Sequence, residues 1–309
     1  MKKILWIFSS AILLSTAILS TGCGDDTTDD PKLGPVVVIL DGPEPATVVQ
    51  DAGTIVTVTV EATKGTDALK SVTVYEGNTK VEIDDLTIEG AAAAANPVLI
   101  TSPADVMTWE IGVHVHATAG TATYRVVVGD DGGLEDEASF DVTVEAPIEN
   151  TLTGVLLNAA GPAGTGGLDL DTGIGTGSSA VESELRDMGI DSLAGSGDNW
   201  RRRIGGINGA NIRYAGNGTV EFGDVASKEA IVALYDGADE LQAASTYTAA
   251  GDGIDKWGNY KVSDTVQIGD VFVVYKSSTE TYYLVEVTDI EENTVLGTNT
   301  DNYTLSIKY

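Results

Sequence analysis

The 309-residue chain carries 47 acidic against 17 basic side chains, a formal net charge of −30 at pH 7. Such a field repels nucleic acid and bare anionic surfaces, so no nucleic-acid partner is expected. A single cysteine, Cys23, excludes an internal disulfide and a cysteine metal site, while abundant Gly, Val and Thr with four Phe point to β structure with many turns.

Lys2 and Lys3 open the chain and precede an uncharged, largely apolar run over residues 4–19, followed by Ser20, Thr21, Gly22 and Cys23. A charged start, a short apolar stretch and small residues before a cut site make an export signal over residues 1–22. The run is short for a membrane span. Small residues directly before the lone cysteine resemble the lipobox of bacterial lipoproteins. The resemblance implies cleavage before Cys23, lipidation of its sulfur and acylation of its amine. The membrane would then be reached through the lipid anchor at Cys23, since several acyl chains at about 0.8 kcal/mol per buried CH₂ hold firmly. Residues 23–34 form an acidic tether that buries no apolar area. Its Asp25 and Asp26, just after the cysteine, are similar to the surface-export signal of Bacteroidota lipoproteins. That implies an outer-membrane location facing the cell exterior.

Residues 35–146 read as an immunoglobulin-like β-sandwich. Residues 36–40 are a short apolar strand, and residues 55–62 alternate Val56, Val58 and Val60 against Thr57, Thr59 and Glu61. Residues 71–75 and 80–83 alternate again, Trp109, Ile111, Val113 and Val115 share a face, and so do Tyr124, Val126 and Val128. Phe140, Val142 and Val144 close a series of about seven short strands. Residues 128–144 resemble the last hairpin of bacterial Ig-like and PKD-type domains, which specifies a fold rather than an activity. The alanine run 91–95 reads as a loop or one helical turn.

Residues 145–150 read as a linker, because Pro147 cannot extend a strand ladder. A second domain, 150–309, reads as mostly β with one or two short helices. Strands are expected at 153–158, 168–171 and 303–309, and a hairpin pairs 271–275 with 282–287. Val181, Leu185 and Met188 have helical spacing over 180–188, and Ser227 caps a helix running to about Ala238 with Ile231, Leu234 and Tyr235 inward. The order Leu168-Asp-Leu-Asp-Thr-Gly173, Trp200, Asn208-Gly209, residues 269–274, 282–287 and 303–308 resembles HmuY-type haem-scavenging lipoproteins. That family grips haem with paired His or Met ligands, whereas this domain has no histidine and only Met188. The resemblance therefore implies a fold and not haem binding.

His114 and His116 are the two histidines of the chain, and at i and i+2 on a strand they share a face. With Ile111, Val113 and Val115 opposite, that face is the solvent side, where two imidazoles can start a zinc or copper site. Asp171-Thr172-Gly173 copies the core of the aspartic-protease motif, but a second copy is missing and Ile174 stands where Ser or Ala is required. Arg201, Arg202 and Arg203 can hold an oxyanion or bridge to acids such as Asp191 or Asp198. Carboxylates at Asp130, Asp131, Glu135, Asp136 and Glu137, and at Asp169, Asp171, Asp187 and Asp191, offer calcium-binding oxygens, but neither set matches a regular calcium loop and solvated acidic turns are the default. Trp200, Trp257, Tyr214 and Tyr260 are candidates to stack on sugar, with Arg201 and Arg203 as further ligand-binding candidates, while buried aromatic core is the commoner fate of such rings. No catalytic set and no cofactor motif stands out. These features imply a surface-anchored, non-enzymatic module that binds a glycan, nutrient or protein, with the sandwich as spacer. The alternatives are a hydrolase with an unrecognised carboxylate pair, or capture of haem or metal.

Overall fold

The computed structural model describes residues 30–159, 165–191, 199–293 and 300–309, so Cys23, Asp25 and Asp26 lie outside the described residues. The fold is mainly β: an Ig-like sandwich, then a second β unit with one short α-helix among the described residues.

The sandwich follows from its alternation. Ile55–Thr63 pairs with Val106–His114 so that Val56, Val58 and Val60 stand opposite Val113, Ile111 and Trp109. Val36–Glu44 flanks that pair on one side, and Leu86–Ile88 with Ala91–Ala92 flanks it on the other. The facing sheet runs Thr47–Val49, Glu135–Glu145, Gly120–Asp130, Leu69–Glu76 and Thr79–Lys80. Tyr124, Val126, Val128, Phe140 and Val142 from this sheet meet the valines of the first in one buried cluster. Three details differ from the sequence reading. Residues 81–83 are not a strand: Thr79–Lys80 is the strand, and Ile83–Asp85 is a 3-10 turn. The first strand runs on to Glu44 through two register shifts, and Ala91–Ala92 is a short strand paired to Thr87 and Ile88 rather than a helical turn.

The C-terminal unit is organised around a sheet ordered Thr151–Asn158, Asn302–Lys308, Thr281–Glu291, Asp270–Lys276, Ala210–Asn217 and Asp239–Glu240. Its middle strands are apolar on both faces because both faces are covered. Phe272, Val274, Tyr283 and Val285 pack with Leu168, Leu185 and Trp200, under a smaller sheet of Ile174–Thr176, Gly167–Asp169, Leu185–Asp187 and Ile204–Gly206. Val271, Val273 and Leu284 pack against Ile231 and Tyr235 of the helix Lys228–Gly237. Ser227 caps that helix by accepting a hydrogen bond from the Ala230 amide at 3.1 Å. The hairpin 270–291 forms as expected.

The helix expected at 180–188 does not form. Leu185–Asp187 is a strand held between Gly167–Asp169 and Ile204–Gly206. Val181 is 87% exposed while Leu185 and Met188 are fully buried, so the three do not share a face. The Glu184 carboxylate instead accepts the Leu170 amide at 2.8 Å, a tertiary bond that outweighs a short segment's helical spacing.

The linker is stitched to the C-terminal unit. Pro147 bridges Ser227, and Ala146 gives its N–H to Glu229 and its carbonyl to Lys228. Asn150 and Tyr309 exchange backbone hydrogen bonds.

Candidate functional site

A cleft of about 600 Å³ at the edge of the large sheet gathers polar and aromatic groups. Its floor comes from Ala210–Asn217 and Asp270–Lys276, and its walls from the 239–247 and 262–267 segments. Asp270 anchors the floor. Buried among neighbours, it accepts from the Tyr214 hydroxyl at 3.2 Å, the Asn217 amide at 2.9 Å and the Gln267 backbone N–H at 2.7 Å. Burial and the Asp270 carboxylate raise the Tyr214 hydroxyl above its ordinary range. Tyr247 lines the opposite wall. Burial, reinforced by a hydrogen bond to Asp264, pushes its hydroxyl up to about 12. Both phenols are therefore neutral donors at physiological pH. Asp239, Glu240, Asp264 and Asp270 make the cleft acidic.

The arginine run builds the surroundings of this cleft rather than presenting guanidinium groups to a ligand. Arg202 has φ 52, in the left-handed region, which turns the three side chains away from strand-like alternation. Arg201 donates to the carbonyls of Asp252 and Met188. Arg202 donates to Val266 O at 2.9 Å and pairs with Glu292. Arg203 is buried, donates to Ser263 O at 2.8 Å, and lies 4.1 Å over the Tyr247 ring. Half-buried Arg201 and buried Arg203 both spend their guanidinium groups on loop carbonyls, so the ligand-binding role expected of Arg201 and Arg203 is corrected to loop positioning.

The sequence-selected aromatics separate. Tyr214 lines the cleft. Trp200 does not reach the surface: it is 5% exposed, donates its indole N–H to Asp187 at 2.8 Å and packs 4.6 Å from Tyr303. Its apolar area and single donor are both consumed inside, which removes it as a sugar-stacking residue. Trp257 is partly exposed with the Arg186 guanidinium 4.6 Å over its ring. Tyr260 packs edge-on to Trp257 and donates to Gly206 O at 2.6 Å. Tyr260 lines a shallower depression of about 440 Å³ that shares Glu240 and Leu241 with the cleft. Sequence reasoning missed Tyr247, Asn217, Asp264 and Asp270, which only the folding of distant segments brings together.

Asp171 is a structural acid. It pairs with Lys276 at 2.6 Å and accepts from the Tyr283 hydroxyl, while Lys276 also pairs with buried Glu184 at 2.7 Å. Asp-Thr-Gly is a turn: Asp169 accepts from the Asp171 amide and the Thr172 hydroxyl, and Gly173 takes φ 70. Asp187 is buried against Trp200 and Tyr303, and the Lys276 ammonium already occupies the space between Asp171 and Glu184.

In the sandwich, His114 and His116 face solvent while Ile111, Val113 and Val115 are buried. Asp85 and Asp51 lie beside them, and hydrogen bonds to Asp51 and Asp85 raise the His116 imidazole above its ordinary value.

The class defined by fold and site is a two-part β protein: an Ig-like sandwich leading into a β unit that carries an acidic, tyrosine-lined cleft. Searches of protein-family models and of curated proteins find no match. Solved structures with partial likeness include a conjugative transposon lipoprotein from Bacteroides eggerthii, 17% identical over 35% of this chain and 95% of that one, with a TM-score of 0.26. A lipoprotein from Bacteroides thetaiotaomicron is 11% identical over 38% of this chain and 86% of that one, with a TM-score of 0.27. A DUF4466 family protein from Parabacteroides merdae aligns over 89% of this chain and 97% of its own, at 9% identity and a TM-score of 0.34.

Proposed function

We propose that the chain is a lipid-anchored outer-membrane surface protein whose C-terminal unit binds a neutral or amino-bearing glycan without turnover, with the sandwich as spacer. One observation carries the binding half. The cleft combines two neutral phenols, side-chain amides from Asn217, Gln242 and Gln267, and carboxylates, in a frame fixed by internal hydrogen bonds. Sugar hydroxyls both donate and accept, and such a preformed mixture of flat rings and convergent polar groups suits them. Four carboxylates in a chain of net charge −30 repel an anionic ligand. Asp270 is committed to three donors, which argues against its use as a catalytic acid or base.

The anchoring half rests on the residues before the fold. No helix among the described residues is long and apolar enough to cross a membrane, and the lipobox-like Cys23 supplies an attachment point. Cys23→Ala abolishes membrane retention on this reading, while replacing Asp25 and Asp26 by Ala leaves the protein lipidated but hidden from external protease.

A glycan array on the tag-free ectodomain tests the ligand class. Asp264→Asn, at an exposed cleft residue, is expected to weaken a bound glycan about tenfold, the effect of losing one hydrogen bond to a charged group. Hydrolysis of a glycan by the ectodomain would replace this reading with that of a hydrolase.

A further inference from the structure

We propose that the sandwich carries a site for one divalent ion of the zinc class, formed by His114, His116 and Asp85, with Asp51 orienting His116 from outside the coordination sphere. The site is separate from the cleft and independent of the glycan reading.

The strand pairing creates it. In the ladder between Leu86–Ile88 and Val106–His114, Leu86 stands opposite Val113, so the preceding Asp85 arrives beside His114. On the other flank Ile55 stands opposite His114, and the turn leading to that strand brings Asp51. The only two histidines of the chain thus meet two carboxylates from separate turns.

The donor spacing fits. Ligands about 2.0–2.1 Å from a tetrahedral zinc lie about 3.3–3.4 Å from one another. Asp85 Oδ1 is 3.1 Å from His116 Nε2 and 3.8 Å from His114 Nδ1, and the three residues present donor atoms all within 4.8 Å of one another. These side chains are about a third to a half exposed, so small rotations close the set and solvent supplies the remaining position.

Asp51 provides the second observation. Its Oδ1 lies 3.2 Å from His116 Nδ1, the ring nitrogen turned away from Asp85. A carboxylate on the outer nitrogen fixes the tautomer that leaves Nε2 facing inward, the arrangement that supports histidine ligands in metal centres. Two imidazoles and one carboxylate select a borderline ion over calcium or magnesium, which prefer all-oxygen sets. Among the described residues, the group of Asp169, Asp171 and Glu184 differs because Lys276 already supplies its positive charge.

The test uses tag-free, EDTA-treated ectodomain. Calorimetry with Zn²⁺ should show one site per chain and none with Ca²⁺, and Co²⁺ should give the visible absorption of a tetrahedral centre. His114→Ala with His116→Ala should abolish both signals. Asp85→Asn should weaken binding at least tenfold, and Asp51→Asn should weaken it about 10- to 100-fold, the usual effect of losing such an outer partner. All four side chains are at least partly exposed, and circular dichroism verifies that each variant folds. Absence of Zn²⁺ binding by the unmodified ectodomain overturns the proposal. So does a one-site isotherm that survives the double histidine variant, because the ion would then sit elsewhere.

Discussion

In the sandwich, Thr73 and Asp130 are the buried polar side chains among the described residues, whereas the C-terminal unit buries Glu184, Asp187, Arg203, Asp270 and Asp301. The sandwich is held by valine alternation on two facing sheets, and its ion pairs, such as Lys64–Asp105 and Arg125–Glu137, lie at its surface. Pairs of that kind contribute little. In the C-terminal unit more charges sit in the interior, and its buried carboxylates meet specific donors: Lys276 and the Leu170 amide for Glu184, Trp200 and the Gly189 amide for Asp187. Apolar cores tolerate changes that conserve volume, while a buried charge does not tolerate loss of its one partner. The difference tracks the proposed roles. A spacer needs stiffness alone, whereas a binding unit must hold irregular loops in place, and buried polar groups are what reach their backbone.

The comparison breaks most sharply at Lys276. Lys276→Met leaves Glu184 buried without its cation and should cost the C-terminal unit about 3–5 kcal/mol, read from denaturant unfolding followed by Trp200 and Trp257 fluorescence. Adding Glu184→Gln should recover part of that loss, and an unchanged midpoint in the single variant would show that this ion pair is not structural. Ser227→Ala comes next. It removes the helix N-cap and the hydroxyl that donates to Glu145, for about 1 kcal/mol, and should speed limited proteolysis at 146–149. Within the sandwich, Ile111→Val should cost only about 0.5–1.5 kcal/mol despite complete burial, with the C-terminal transition unmoved.

The same contrast explains what was legible in the sequence. Val56, Val58 and Val60 announce a half-buried strand by period alone, and Ser227 before an apolar stripe announces a capped helix. Both signals are local. Trp200 reads either as a stacking residue or as buried aromatic core, and the choice is made by Asp187 and Tyr303, neither of which is encoded by spacing. Leu185 and Met188 suggested a helix because their burial is real, but the cause is sheet pairing with Gly167–Asp169. Tyr214 was visible as a candidate. Tyr247, Asp264 and Asp270 were not, because the cleft exists only once segments near 214, 247 and 264 fold together. The histidine pair was legible from its spacing, while Asp85 and Asp51 required the register of the ladder.

The smallest expected effect is also the one that separates the two regions by pH. Burial acts to raise the Asp171 carboxyl, but hydrogen bonds from Lys276 and Tyr283 outweigh it and hold the group below its ordinary 3.8. Burial acts to lower Lys276, but hydrogen bonds to Asp171 and Glu184 outweigh it and raise the ammonium above 10.5. A depressed acid contributes stability that is present above its unfolded value and is lost as pH falls through its folded value. A raised base contributes stability that is present below its unfolded value and is lost as pH rises through its folded value. The centre is therefore silent between about pH 5 and 9, and the C-terminal unit weakens at both extremes. In Lys276→Met the acid limb should shrink, because Asp171 then keeps only the Tyr283 hydrogen bond against the effect of burial. An acid limb as steep in that variant as in the unmodified chain would place the acid sensitivity in other carboxylates. The Asp171–Lys276–Glu184 centre would then act as a packing device without electrostatic consequence, close in kind to the sandwich core.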